Sequence, residues 1–170
     1  MANFNFHNLD EETRKHMLAE IQEDINAGRL YVSERLNETG RQNYQTYFVQ
    51  SVSTGDPESF EKLLHQPTHF NLTYSRQGKS VKMPSNASTL LCQNEFNRYY
   101  IRALCLRAIG SNLENVQIYR ARESSWSRPE SEAKIGMSIS AKDLLEDLRT
   151  SIGIEPKLFP EINSGLSVRI

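Results

Sequence analysis

From Ser88 to Gly110 the chain reads STLLCQNEFNRYYIRALCLRAIG. Placed at about 100° per residue around a helix, its apolar side chains leave little of the circumference uncovered. Cys92, Phe96, Tyr99, Tyr100, Ile101, Ala103, Leu104, Cys105, Leu106 and Ala108 form that cover, and a narrow stripe of Glu95, Arg98 and Arg102 interrupts it. A helix that is apolar nearly all round is a buried helix, so the stretch is expected to be a core spine packed on several sides. Ser88 is placed to cap the first turn, and Gly110 to take the left-handed position after the last. The stripe reads as a solvated edge or, more sharply, as a grip for an anion or carboxylate, because two guanidinium forks share one carboxylate.

Ahead of the spine the pattern is helical. A first helix is expected from near Asn8, with Glu11 returning as a capping box, and Met17, Leu18, Ile21 and Ile25 on one face; Gly28 ends it. A short second helix is expected between Ser33 and Gly40. A third, from Gln42 to Ser53, carries Tyr44, Tyr47, Phe48, Ser51 and Val52 at i, i+3, i+4 and i+7. Asp56-Pro57 opens a fourth, with Asp as cap and Pro in the first turn; Phe60, Leu63 and Leu64 face inward and Pro67 stops it. Between Phe70 and Met83 the period drops to two, with Arg76-Gln77-Gly78-Lys79 as a turn, which predicts a β-hairpin.

Beyond the spine, Val116 to Arg122 reads as a strand, and Ile135, Met137 and Ile139 alternate as a second. A helix opens at Ser140, buries Leu144, Leu145 and Leu148, and ends at Gly153. Pro156 and Pro160 exclude regular helix in the tail, Leu158-Phe159 is expected to dock back, and Leu166 to Ile170 to add an edge strand. The expected fold is α+β: an N-terminal helical layer around a buried central helix, a small antiparallel sheet and a C-terminal helix. It reads as one domain over 1–170, with a helical part at 1–66 and the central helix plus sheet at 67–170.

The totals narrow the classes. A chain of 170 residues is long enough for a proper core. A net charge of −1 and a pI near 6.4 argue against a protein wrapped in nucleic acid, while leaving room for local basic patches. No apolar run approaches a membrane span, and MANFNFHNLDEE has neither the basic region nor the apolar core of a secretory signal. A cytoplasmic location is expected, or the virion for a phage component. Cys92 and Cys105 lie thirteen residues apart on one helix, about 20 Å at 1.5 Å per residue, too far for a disulfide. Both are expected to be buried, reduced thiols.

Candidate chemistry is sparse. Arg76, Lys79 and Lys82 make the hairpin basic, and with Arg98, Arg102, Arg120 and Arg122 they form a candidate set for anions or nucleic acid. The same charges also suit a protected edge ribbon. The loop Glu123 to Ala133, ESSWSRPESEA, holds the only Trp of the chain. Trp126 either plugs a core gap or serves a partner, and Trp and Arg are the types most enriched at interface hot spots. Trp126, Arg128, Glu130 and Glu132 are therefore the candidate partner-binding residues. Glu132-Ala133-Lys134 forms an E-x-K triplet of the kind that holds metal in PD-(D/E)xK nucleases, but Glu155-Pro156-Lys157 repeats it in a Pro-rich tail. His65 and His69 have the spacing of a metal pair, with Pro67 breaking the helix that spacing needs. No Gly-rich phosphate loop, nucleophile elbow or Cys-x-x-Cys is present. The residues thus assign no catalytic group, metal ligand or cofactor.

EFNRYYIRALCLRAI, VQIYRARE, SRPESEAKIG and LLEDLR, spread over the C-terminal half, resemble small bacterial and bacteriophage proteins without an established activity. The resemblance implies a phage or prophage setting, where small α+β proteins are assembly parts more often than enzymes. The expected function is a non-enzymatic interaction or assembly module, with a protein partner or self-association and no membrane. A nucleic-acid-binding accessory protein is the alternative, and a metal-dependent nuclease the third reading.

Overall fold

The structure is a computed structural model that describes residues 3–124 and 126–170. Its spine is the longest helix, here α4 (Ala87–Gly110). Cys92, Phe96, Tyr99, Tyr100, Ile101, Ala103, Leu104, Cys105 and Ala108 are all buried, as a helix apolar on every side requires. Both cysteines are free thiols inside the core.

Before the spine come α1 (Glu11–Asn26), α2 (Glu38–Thr54) and α3 (Pro57–Leu63). α1 and α3 pack on α4, and α2 packs on α1 and α3. An aromatic chain joins the layers: Phe48 of α2 stacks on Phe60 of α3 at 4.9 Å between ring centroids and meets Tyr99 of α4 edge-on at 5.4 Å. The opening of α3 is a full capping box, with Asp56 Oδ1 accepting the Ser59 N–H and Pro57 in the first turn. α1 starts later than expected, because Asp10 and not Asn8 caps it: Asp10 Oδ1 accepts the Thr13 N–H at 2.9 Å.

The helix expected over Ser33–Gly40 does not form. Glu34 and Arg35 turn, Leu36 bridges to Phe70, and Asn37 caps α2 by accepting the Gly40 N–H. Gly40 is therefore inside a helix and ends none. Its missing side chain has another reason: a Cβ there would lie 2.1 Å from the His69 carbonyl oxygen. The end of α4 also differs from expectation. Gly110 stays helical, and Asn112 takes the left-handed position at φ 57°. Leu113 N–H then reaches Ala108 O, and Asn112 N–H reaches Ile109 O, which closes the helix as a Schellman motif. At the other end Ser88 sits within the first turn and caps nothing; its N–H donates to Gln66 Oε1.

Strands β1 (Thr73–Arg76) and β2 (Lys79–Lys82) form the expected antiparallel hairpin. After α4 run β3 (Asn115–Arg120), the single-turn α5 (Pro129–Glu132), β4 (Ser138–Ser140) and α6 (Ala141–Thr150). A 3-10 turn over Ile162–Ser164 then leads into β5 (Leu166–Arg169). The second sheet is antiparallel in the order β4-β3-β5, with Ile118 opposite Val168 and Val116 opposite Ile139. β4 is shorter than its alternation suggested: Gly136, at φ 85°, bends the chain, and Ile135 and Met137 are left exposed. Ser140 caps α6 as expected, and Phe159 docks into the core while Leu158 stays outside. Asn97 of α4 ties the spine to β5, donating to Leu166 O at 2.9 Å and accepting from Ser167 Oγ at 2.7 Å. The fold is α+β, with helices before the spine and the sheet and α6 after it.

Candidate functional site

The stripe of α4 is not a solvated edge, since Glu95, Arg98 and Arg102 are all buried. Arg102, only 1 % exposed, is the hub of an ion cluster joining α1, α4 and α6. Its Nε donates to Glu20 Oε2 at 2.7 Å and its Nη1 to Asp24 Oδ2 at 2.6 Å. Arg149 of α6 also donates to Glu20, and Tyr99 Oη donates to Asp24 Oδ2. Burial works to raise both carboxyls, yet hydrogen bonds from the arginines, and for Asp24 from Tyr99, outweigh it and hold them below the usual carboxylate range. All three guanidinium nitrogens of Arg102 thus meet carboxylates inside the protein.

Arg98 is spent too. Its Nη1 donates to Ser151 O at 3.1 Å and to Ser151 Oγ, and its Nη2 donates to Ile154 O at 3.0 Å. It thereby caps the C-terminal end of α6, where a cation is favoured, and holds the loop that follows. Its Nε has no hydrogen-bond partner and lies 3.8 Å from Glu95 Oε1, an ion pair too long for a hydrogen bond. The terminal nitrogens that an anion grip would need are thus occupied, and Arg98 Nε and the Glu95 carboxyl face each other without a hydrogen bond. Burial pushes the Glu95 carboxyl up to about 7 against the pull of Arg98 and Arg102.

Glu95 and Arg98 line a cleft of about 400 Å³. Its walls come from four separated segments, Phe70 ahead of the hairpin among them. Tyr31, Ser33 and Arg35 stand between α1 and α2; Leu91 and Asn94 lie on α4; Gly153, Ile154 and Glu155 follow α6. Gly153 adopts φ 75°, and a Cβ there would meet the Tyr31 ring at 2.9 Å, so glycine fixes the packing of one wall on another. Glu155 accepts the Ile162 N–H. Asn94 Oδ1 is buried without a hydrogen-bond partner. None of Tyr31, Ser33, Arg35, Asn94 or Glu155 stands out in the sequence as a site residue, because the cleft exists only once these segments meet.

The loop after β3 is built differently. Trp126 is 86 % exposed and plugs no core gap. Ser124 Oγ accepts its N–H and donates to its carbonyl. Arg128 pairs with Glu161 and Glu132 with Arg120, so ion pairs tie the loop base to the 3-10 turn and the sheet. Glu130 is exposed beside them. Arg122 is buried, donating to Gln93 and to Asn163 O.

Of the seven basic candidates, Arg76, Lys79 and Lys82 are exposed together on the hairpin, and Arg120 is half-buried by its ion pair. Arg98, Arg102 and Arg122 lie inside the protein and present no charge to a phosphate backbone. Glu132 of the E-x-K triplet is taken by Arg120. Among the described residues no three His, Cys, Asp or Glu side chains converge as a metal centre needs. No helix among those residues is long and apolar enough to cross a membrane. Comparison with protein families, with characterised proteins and with solved structures finds no match to this chain.

Proposed function

We propose that the protein is a non-enzymatic interaction module that engages a protein surface, a second copy of itself included, through the loop carrying Trp126. The observation behind this reading is the 86 % exposure of that side chain on a loop pinned at its base. A tryptophan buries a large apolar area on contact, and a pinned loop loses little conformational freedom when it docks. Arg128, Glu130 and Glu132 supply the polar rim that surrounds such an anchor at interfaces. The resemblance of the C-terminal half to small bacterial and bacteriophage proteins supports placing the module among virion or prophage assembly parts.

Light scattering on the full chain across a concentration series tests the reading. The wild type is expected to associate with a blue shift of tryptophan emission, and Trp126→Ala to stay monomeric with an unchanged urea midpoint. Association that is identical in both chains would overturn it.

The exposed hairpin favours a second reading, in which Arg76, Lys79 and Lys82 contact nucleic acid. Three phosphate contacts give a slope of log K on log salt of roughly −2 to −3. Binding without that slope, or unaffected by Lys79→Ala and Lys82→Ala, would discard it.

A further inference from the structure

We propose that the cleft between α4 and the segments 31–35 and 153–163 is a binding site for a small molecule carrying a cationic nitrogen donor, of the amine, amidinium or guanidinium class, received by Glu95 and Asn94. This is independent of the Trp126 loop. The argument is one of unmet hydrogen-bonding capacity. Buried polar groups in folded proteins are almost always paired, so each exception asks for a cause. Among the described residues two such exceptions, Asn94 Oδ1 and Arg98 Nε, border one cavity beside Glu95.

Glu95 is 4 % exposed and accepts no hydrogen bond from the described residues; its closest cation is Arg98 Nε, 3.8 Å away. Asn94, its neighbour on α4, has a buried oxygen with no donor. Both line a cavity of about 400 Å³, within the range of roughly 300–1,000 Å³ typical of small-ligand sites. The terminal nitrogens of Arg98 are committed to Ser151 and Ile154, so Arg98 does not turn its fork toward Glu95. What Glu95 and Asn94 lack is an N–H donor within hydrogen-bond reach, since Arg98 Nε stands 3.8 Å from Glu95. An ammonium or amidinium group supplies one, and a charge-assisted hydrogen bond in a partly enclosed site is the strong kind.

The cleft also limits what else the ligand carries. Tyr31 and Leu91 offer apolar surface. Arg35, whose guanidinium stacks over the Tyr74 ring at 4.4 Å, adds one positive group. A polar molecule with an amine at one end and a neutral or anionic group at the other matches this lining. The charged groups around Glu95 are Arg98 and Arg102 on its own helix, Asp24 on α1, Arg35 between α1 and α2, and Glu155 after α6. A cation entering there favours the ionised form of Glu95, so binding at neutral pH releases a proton.

The test uses the full chain with agmatine and putrescine as cationic probes and acetate and inorganic phosphate as anionic ones, at matched ionic strength. A cationic probe is expected to raise the thermal midpoint saturably. Calorimetry in buffers of different ionisation enthalpy should show proton release at about pH 6 that vanishes at about pH 8.5, on either side of the Glu95 titration near 7. Glu95→Gln should weaken the apparent affinity by about tenfold or more, the scale of one charge-assisted hydrogen bond. Should that variant not fold, Asn94→Leu serves in its place, with the same direction of change. No saturable shift with either cation, a shift confined to the anions, or affinity unchanged in the variant would overturn the proposal.

Discussion

Arg102 Nη1 of the spine lies 2.6 Å from Asp24 Oδ2 of α1, and neither side chain reaches solvent. Glu20 joins Arg102 from the next turn of α1, so one guanidinium faces two carboxylates inside the protein. Removing one partner of a buried pair leaves an uncompensated charge and typically costs about 3–5 kcal/mol. Arg102→Ala is expected to lose stability on that scale in a urea titration. A loss below about 1 kcal/mol, the range of exposed pairs, would mean the cluster is open to water.

The same cluster sets an acid limit. Asp24 and Glu20 are held below their ordinary range, so the folded chain binds their protons less readily than the unfolded one. Their contribution is complete above the unfolded carboxylate pKa, about 4, and drains away as pH falls through the lower folded values. Urea midpoints measured downward from neutral pH should fall below about pH 4 in the wild type. The fall should be shallower in Arg102→Ala, where the carboxyls have lost the charge that held them low.

Glu95 works with the opposite sign. Its folded pKa of about 7 lies above the unfolded value near 4.5, so between those two the folded chain holds a proton that the unfolded chain has released. Stability attributable to this group therefore falls as pH rises through that window, by an amount on the order of 3 kcal/mol. Glu95→Gln, which keeps the shape and removes the titration, is expected to match the wild type near pH 5 and to exceed it near pH 8. Equal midpoints at both pH values would place the carboxyl in contact with bulk water.

These contacts mark where sequence reading stops. The spine, the hairpin and the Asp56-Pro57 cap are local patterns, and periodicity within a few turns shows them. Arg102 and its partners are 78 and 82 positions apart along the chain. The stripe Glu95, Arg98, Arg102 looked solvated because its partners belong to another helix. A signal was present: Met17, Glu20, Ile21 and Asp24 share one face of α1 at helical spacing, so both acids sit in its apolar stripe. Acids in such a face ask for a buried cation. The cleft left no comparable trace, since Tyr31, Asn94 and Glu155 come together only through tertiary packing. Trp126 was ambiguous for a different reason, because the direction of a loop side chain is set by the backbone that anchors it.

Phe96 sits at the centre of the spine, fully buried, with Phe6 packed on it at 5.6 Å between centroids. Phe96→Ala removes a large aromatic and leaves a cavity, for an expected loss of about 3–5 kcal/mol. On the same helix Cys92 and Cys105 are 0 % exposed, and burial raises both thiols, Cys105 to about 12. In the native wild type, labelling by a thiol reagent should wait for unfolding, and in Phe96→Ala it should speed up in step with the lost stability. Fast labelling of the wild type at both sites would contradict a buried spine.

Gly40 and Gly110 give opposite expectations for one substitution. Both lie in helices with ordinary helical backbone, where Ala is favoured over Gly by up to about 1 kcal/mol. At Gly110 a Cβ would meet nothing within 4 Å, so Gly110→Ala should be neutral or stabilising within that amount. At Gly40 the same carbon would stand 2.1 Å from the His69 carbonyl oxygen, a backbone atom that cannot swing aside. That carbonyl also accepts the Asn37 N–H, and the Asn37 side chain holds Thr68 O and Phe70 O, so the 68–70 segment is fastened to the start of α2. Gly40→Ala must therefore push the segment away or break its bonds, an overpacking cost of about 1–3 kcal/mol that outweighs the helical gain. Urea titration of the two variants side by side reads the difference, because propensity enters both equally and the steric cost only one. Stabilisation of both would show that the 68–70 segment does not lie against the first turn of α2. The wall that Phe70 gives the Glu95 cleft would then have to move with it.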